Sequence, residues 1–252
     1  MSDDLPDAIP AATLIIFREA QAGPPELLMV ERAKAMVFAG GAMVFPGGRI
    51  DPADYAMAEL IGGDEESASR IAAIRETIEE AGLPIGLSTL PSVDRLAEMR
   101  AALHAGETLA EALAAAEATL DLRQLVPWAR WRPAHRNMRI FDTRFYLAEL
   151  PAKAPRATVD QTENVRLVWA TAQQVLADAD AGKLEVIFPT RRNLERLAQF
   201  DSFADAAAHA AATPIRTVTP WSETRNGEEH LCIPDDCGYP VTSEVIARAM
   251  RG

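Results

Sequence analysis

The chain has 252 residues and 48% hydrophobic content, enough for a large core and too much for a disordered chain. Its 25 Lys plus Arg stand against 37 Asp plus Glu, a net charge of −12. That balance argues against a nucleic-acid polymer or an anionic membrane surface as partner. Two cysteines, Cys232 and Cys237, exclude a disulfide scaffold and make a reducing compartment the default. The first ten residues lack the basic and apolar regions of a signal peptide, and no apolar run reaches the roughly 20 residues that span a bilayer. A cytoplasmic protein is expected.

Ala12 to Phe17 is β-branched and apolar and reads as a buried strand. Gly23-Pro24-Pro25 turns the chain into a second strand at Leu27 to Val30, and the pair reads as a hairpin. A third strand is expected at Ala42 to Phe45, stopped by Pro46-Gly47-Gly48. Asp51 to Gly63 reads as irregular, with a helical turn or two at Ala56 to Ile61. The next helix is clearer. Asp64 caps it, Glu65 and Glu66 suit its first turn, and Ile71, Ile74 and Ile78 share one face. Gly82 suits its C-terminal stop, and Pro84 cannot continue it.

Val93 to Leu120 reads as two alanine-rich helices broken at Gly106. Their apolar stripes (Leu96, Met99, Leu103, then Leu109, Leu113, Ala116, Leu120) point to structural packing, with a lid or a homodimer surface as alternatives. Trp128 to Trp131 leads into a strand at Arg139 to Ala148, and another strand covers Val165 to Trp169. Thr171 starts a helix that runs to Ala181. Pro189-Thr190 starts one more, carrying Leu194, Leu197, Phe200, Phe203 and Ala207 and ending at Pro214. Short strands at Ile215 to Pro220 and His230 to Pro234 and a final helix at Ser243 to Met250 complete the pass. The phenylalanines Phe45, Phe141 and Phe145 and the tryptophans Trp128, Trp131 and Trp169 read as core residues, with stacking of Trp128 or Trp131 on an adenine as the rival reading. His230, Cys232 and Cys237 supply at most three zinc ligands, and a turn in a folded tail is the simpler account.

Chemistry concentrates in Arg75-Glu76-Thr77-Ile78-Glu79-Glu80-Ala81-Gly82. Glu76, Glu79 and Glu80 stand three and four residues apart, so they share a helix face. Three crowded carboxylates repel one another, and Mg2+ or Mn2+ favours such oxygen ligands. Arg75 lies four residues before Glu79 and can pair with it, holding the cluster in place. From Asp51 to Gly82 nine acids oppose two bases, a net of −7, while the isoleucines anchor the helix. A solvated acidic face is the competing reading. Arg123 to Arg144 holds six arginines and one acid, a net of +5. Arg139 and Arg144 suit bidentate contact with a substrate's phosphates, or pair with the surrounding acids. Arg32, at the end of the second strand, is a further candidate.

Phe45-Pro46-Gly47-Gly48 followed by Arg75 to Leu83 resembles the signature of the Nudix hydrolases. Arg75, Glu76, Glu79, Glu80, Gly82 and Leu83 stand at the family's spacing. The first half departs from it. The family has a glutamate six residues after the glycine and the arginine eight residues later; here Asp54 stands at the first place and Arg75 follows 21 residues on, an insertion of 13. Asp54, Glu66 or neither replaces that glutamate. The interrupted box, with Leu125 to Ala129, Arg139 to Leu147 and Phe188-Pro189-Thr190, resembles the branch of the peroxisomal-type coenzyme A and acyl-coenzyme A diphosphatases.

The resemblance implies an α/β fold, the Nudix α/β/α sandwich with a mixed sheet. It implies one domain over residues 1–252, with a box insertion near 53–66, a helical insertion at 93–120 and a C-terminal extension at 214–252. It implies hydrolysis of a small-molecule phosphoanhydride with Mg2+ or Mn2+ held by Glu76, Glu79 and Glu80 and a backbone carbonyl of Gly47 or Gly48. The catalytic base is Glu79 within the box or Glu163 in the loop before the Val165 strand. Coenzyme A or an acyl-coenzyme A is the favoured substrate; nucleotide sugars, dinucleotides and oxidised nucleotides are the alternatives, and a Nudix-derived binding module without turnover is a third reading.

Overall fold

The computed structural model describes residues 8–34, 39–133, 140–160 and 164–249. The chain begins with β1 (Ile9–Arg18) and β2 (Glu26–Arg32), joined as the expected hairpin with Phe17 opposite Leu27. β3 (Met43–Val44) pairs with β2. Pro46-Gly47-Gly48 does not end the strand region as its composition suggests. Gly47–Arg49 forms β4, antiparallel to β1 at Ala11 to Thr13. Residues 51 to 63 also depart from expectation: Pro52–Leu60 is a full helix, α1. Proline at the first helical position is a start signal, because its missing N–H is an orphan there anyway. Asp54 reinforces the start by accepting the backbone N–H of Asp51 at 2.9 Å.

α2 (Glu65–Ala81) follows as its sequence dictates. The Asp64 carboxylate accepts the Ser67 N–H at 3.0 Å, and Gly82 ends the helix at φ +63°. α3 (Val93–His104) and α4 (Leu109–Ala116) are the two expected helices. Their stripes, Leu96, Met99, Leu103, Leu109 and Leu113, enter the same core as Ile71, Ile74 and Ile78. β5 (Val126–Trp131), β6 (Phe141–Glu149), β7 (Asn164–Thr171) and α5 (Ala172–Asp180) come next.

The long helix expected after Pro189 is two helices, α6 (Phe188–Leu197) and α7 (Phe203–Ala212). Ser202 breaks the run, because its hydroxyl accepts the Asp205 N–H and caps a new start. β8 (Thr217–Val218) precedes a separate sheet of β9 (Trp221–Arg225), β10 (Glu228–Cys232) and β11 (Ser243–Val245). β9 has no buried residue and so no apolar alternation to reveal it. The expected final helix is β11 followed by a single turn, α8 (Ile246–Ala249).

The main sheet runs β3-β2-β1-β6-β5-β8, with β4 on β1 and β7 on β2. It is mixed: β1 lies parallel to β6 and β5 to β8, and the other pairs are antiparallel. β1 is buried on both faces, as a central strand must be. Leu14 and Ile16 meet α2, α3 and α4; Ile15 and Phe17 meet the opposite layer of Trp128, Trp131, Leu194 and Leu197. Helices therefore cover both faces, which is an α/β/α sandwich. Among the described residues no helix is long and apolar enough to cross a membrane.

Candidate active site

The last two turns of α2 carry Arg75, Glu76, Glu79 and Glu80, and the isoleucine face fixes how far those turns sit from the sheet. Arg75 is the hub, 8% exposed. Its guanidinium donates to Asp54 Oδ1 at 3.1 Å and Oδ2 at 3.0 Å, to Glu76 at 3.0 Å, to Glu79 at 3.1 Å and to the Arg49 carbonyl at 2.9 Å. Burial works against its charge, yet the Asp54 hydrogen bond and the surrounding carboxylates leave it more firmly protonated than a free arginine. Asp54, 1% exposed, is thus the residue that occupies the place opposite Arg75. Glu66 is elsewhere, beside Arg70 and Arg144. The 13-residue insertion folds away as α1, and the capping of that helix delivers Asp54 to Arg75.

Glu80 is held on both oxygens. Gly47 N–H donates to Oε2 at 2.9 Å and Asn164 Nδ2 to Oε1 at 2.9 Å. Two glycines make the approach. A Cβ on Gly47, at φ +154°, would stand 2.4 Å from the Ala12 carbonyl, and one on Gly48 would stand 2.3 Å from Glu76 Oε1. The far end of α2 is clamped from α3. Arg100 donates to the carbonyls of Glu79 at 2.8 Å and Glu80 at 3.1 Å, and His104 Nε2 lies 3.2 Å from the same Glu79 carbonyl.

Burial pushes Glu76 up to about 8, Arg75 opposes it, and repulsion from Glu80 and Glu79 adds to it. Burial also raises Glu80 to about 7 against the pull of Asn164 and Gly47, and Arg32 lowers it further by its charge. Glu79 is raised by the same burial. These carboxylates hold negative charge reluctantly, and a cation would relieve them. Asn164 is fully buried, and among the described residues its Oδ1 accepts no hydrogen bond. An ionised carboxylate offers only acceptors, so Nδ2 must face Glu80 and the oxygen is left over. Such an orphan costs about 1–3 kcal/mol and calls for a partner. Among the described residues no three His, Cys, Asp or Glu side chains already converge on one point; the Arg75 guanidinium stands between Glu76 and Glu79. The donor set, hard carboxylate oxygens with an unpaired amide oxygen beside them, fits Mg2+ or Mn2+.

The remaining candidates divide. Arg32 ends β2 near enough to Glu80 to act on its charge. Arg144 bonds Ser69 Oγ at 3.0 Å and Glu65 at 3.1 Å. Ser69 precedes Glu76 by seven residues, about 10 Å along the helix. Glu163 and Arg139 lie outside the described residues. Arg123 pairs with Asp121, and Arg130 forms a two-point pair with Asp142. Trp128 and Trp131 are core residues whose indole N–H groups donate to Asn193 and Tyr239. Cys232 and Cys237 are buried thiols. Asn164, Arg100 and the Arg49 carbonyl carry no sequence signal, because each acts only through a contact made by folding.

The NUDT19 Nudix domain family matches residues 61–197, more than half of the chain. The chain therefore belongs to the Nudix hydrolases, in the NUDT19 branch, and is an enzyme of the class that acts on phosphoanhydrides. Among its relatives is the acyl-coenzyme A diphosphatase NUDT19 of Gallus gallus, 26% identical over 254 aligned positions that cover 78% of this chain and 67% of that one. The crystal structure of a Nudix hydrolase from Alicyclobacillus acidocaldarius superposes with a TM-score of 0.65 at 28% identity, covering 80% of this chain and 96% of that one. Nudix hydrolases generally use divalent metals, in keeping with the donors described above.

Proposed function

We propose that the chain hydrolyses the diphosphate of a nucleoside-diphosphate-linked metabolite in a reaction dependent on Mg2+ or Mn2+. Coenzyme A or an acyl-coenzyme A is the favoured substrate, and the products are a phosphopantetheine and adenosine 3′,5′-bisphosphate. The carrying observation is the trio of buried Glu80 and half-buried Glu76 and Glu79, braced by Arg75 beside the Gly47-Gly48 turn. The name of the chicken relative supports the choice of substrate.

In this reading Glu76, Glu79 and Glu80 hold the ion, with a backbone carbonyl of Gly47 or Gly48. Bound there, a divalent ion supplies charge that offsets the anionic diphosphate and lowers the pKa of water. Arg75 keeps Glu76 and Glu79 apart and oriented. Asn164 and Gly47 fix the rotamer of Glu80. Glu79, whose affinity for a proton is raised, takes the proton of the attacking water; Glu163 is the second candidate for that part. Arg32 meets the substrate's negative charge at the rim beside Glu80.

A substrate panel with Mg2+ and Mn2+ tests the reading. The expected result is cleavage of coenzyme A or an acyl-coenzyme A to the two named products. Cleavage confined to nucleotide sugars, dinucleotides or oxidised nucleotides replaces the substrate. Binding without cleavage under both metals makes the chain a ligand-binding module.

A further inference from the structure

β1 is bordered by β4 on one edge and β6 on the other at the same residues, Ala11 to Thr13. α2, packed across these strands, therefore has two flanks. Glu76 faces Gly48 of β4. Ser69, at least a turn and a half nearer the N-terminus, takes Arg144 of β6. On that second flank lies a cleft of about 240 Å³ lined by Pro10, Ile50, Ser69, Arg130, Arg132 and Arg144. A second hollow of about 380 Å³ shares Arg130 and Arg144 with it and extends past Tyr146 to Ile215.

Three observations give this cleft a chemistry. Arg130 and Arg144 stand directly opposite each other on β5 and β6, a like-charge pairing that is unfavourable without an anion. Each has turned to the nearest acid, Arg130 to Asp142 and Arg144 to Glu65. Four arginines (Arg70, Arg130, Arg132, Arg144) against three acids (Glu65, Glu66, Asp142) line the two hollows, in a chain of net charge −12. The Tyr146 hydroxyl is buried at the wall of the second hollow, with Glu66 and Ser69 beside it. Asp142 takes one edge of the Arg130 guanidinium, and Glu65, Glu66 and Ser69 Oγ take the two terminal nitrogens of Arg144. A tetrahedral phosphate can accept from two guanidinium groups at once, and the apolar wall at Ile215 leaves room for an organic remainder.

We propose that this cleft binds a phosphomonoester-bearing nucleotide, its phosphate between Arg130 and Arg144. The phosphate has two sources. It belongs to the substrate itself, remote from the scissile diphosphate, which rests on the function proposed above; or it belongs to a separate nucleotide, which does not.

The test is calorimetric titration of the metal-free full chain with adenosine 3′,5′-bisphosphate and, separately, with inorganic phosphate. The bisphosphate is expected to bind, with tenfold or greater weakening in Arg144→Gln and in Arg130→Gln. Hydrogen exchange on the wild-type chain is the check that needs no variant to fold: the bisphosphate is expected to protect β5 and β6. Inhibition of coenzyme A hydrolysis that is competitive and weakened in Arg144→Gln assigns the phosphate to the substrate. A change in turnover without competition assigns it to a separate nucleotide, and either supports the cleft. No binding of either probe overturns it. So does binding that survives both arginine substitutions, which places the ligand elsewhere. Failure of coenzyme A as a substrate, with bisphosphate binding intact, removes the function proposed above and leaves the cleft.

Discussion

Two buried arginines on opposite faces of the sheet meet opposite surroundings. Arg75 is ringed by Asp54, Glu76 and Glu79, and its charge is held more firmly than usual. Arg196, on α6, lies 3.6 Å from the Trp128 ring, donates to the Trp128 carbonyl at 3.1 Å and to His209 Nε2 at 3.2 Å, and has Tyr239 beyond. Burial lowers its affinity for a proton. Around Arg75 there is more negative charge than one guanidinium can neutralise, so the surplus must be met by protons or by another cation. Around Arg196 the described residues bring no carboxylate, and the aromatic rings and one carbonyl absorb a charge that serves packing. A buried charge marks a reactive place only where its partners outnumber it.

The largest effect that would break this contrast is on turnover. Glu79→Gln and Glu80→Gln are each expected to lower it at least about a hundredfold while melting stays near wild type. Arg196→Met, by contrast, should leave turnover per folded molecule unchanged. Steady-state rates with parallel calorimetric melts decide this; equal losses in all three variants would erase the distinction.

Next is stability. Asp54→Ala leaves Arg75 buried without its two-oxygen partner and is expected to cost about 3 kcal/mol, the low end for a broken buried pair because Glu76 and Glu79 remain. Arg196→Met is expected to cost about 1–2 kcal/mol, chiefly through the unpaired Trp128 carbonyl. Urea denaturation of the metal-free proteins measures both, and a smaller loss in Asp54→Ala would remove Asp54 as the keystone of the box.

The contrast reaches to pH. Glu76 and Glu80 are held at about 8 and about 7, above the ordinary 4.5, so the native state binds more protons than the unfolded chain. Their contribution is complete below about pH 4.5 and is lost as pH rises through 7 to 8. His209 acts in the opposite sense. Burial and Arg196 depress it, so its contribution is present above its unfolded value of 6.5 and is lost as pH falls. The metal-free protein is therefore expected to become less stable from pH 6 to pH 8. Melts of Glu76→Gln should show that upper decline flattened; a decline of unchanged size would show that Glu76 does not cause it.

The smallest expected effect concerns Asn164. Asn164→Ala removes a donor that lowers the Glu80 pKa. The acidic limb of the rate profile should move to higher pH, with a loss of roughly tenfold or less at neutrality. A profile displaced only vertically would make Asn164 a packing residue.

These residues also show what could be read in advance. Ile71, Ile74, Ile78 and Gly82 declare α2 because their spacing is local, and the same spacing puts three glutamates on one face. The pairing of Asp54 with Arg75 is not local: it needs α1 to fold, to cap itself with the same aspartate and to pack on α2. Asn164 and Arg100 are polar residues of ordinary appearance until β7 and α3 carry them to Glu80 and to the end of α2. The break at Ser202 was hidden by a helical spacing that continues across it, and β9 by having no buried face. By charge alone Arg144 suits a phosphate or a nearby acid, and only the topology sets it beside Glu65 and Glu66, at the other end of the helix from the glutamate trio.

Soaking a crystal of the chain in Mn2+ locates the ion by its anomalous signal and shows whether the three glutamates hold it. Mn2+ is expected on Glu76, Glu79 and Glu80 beside Gly47-Gly48, with Arg75 still on Asp54. Those three side chains turned into solvent, with the ion absent or held elsewhere, would contradict that assignment.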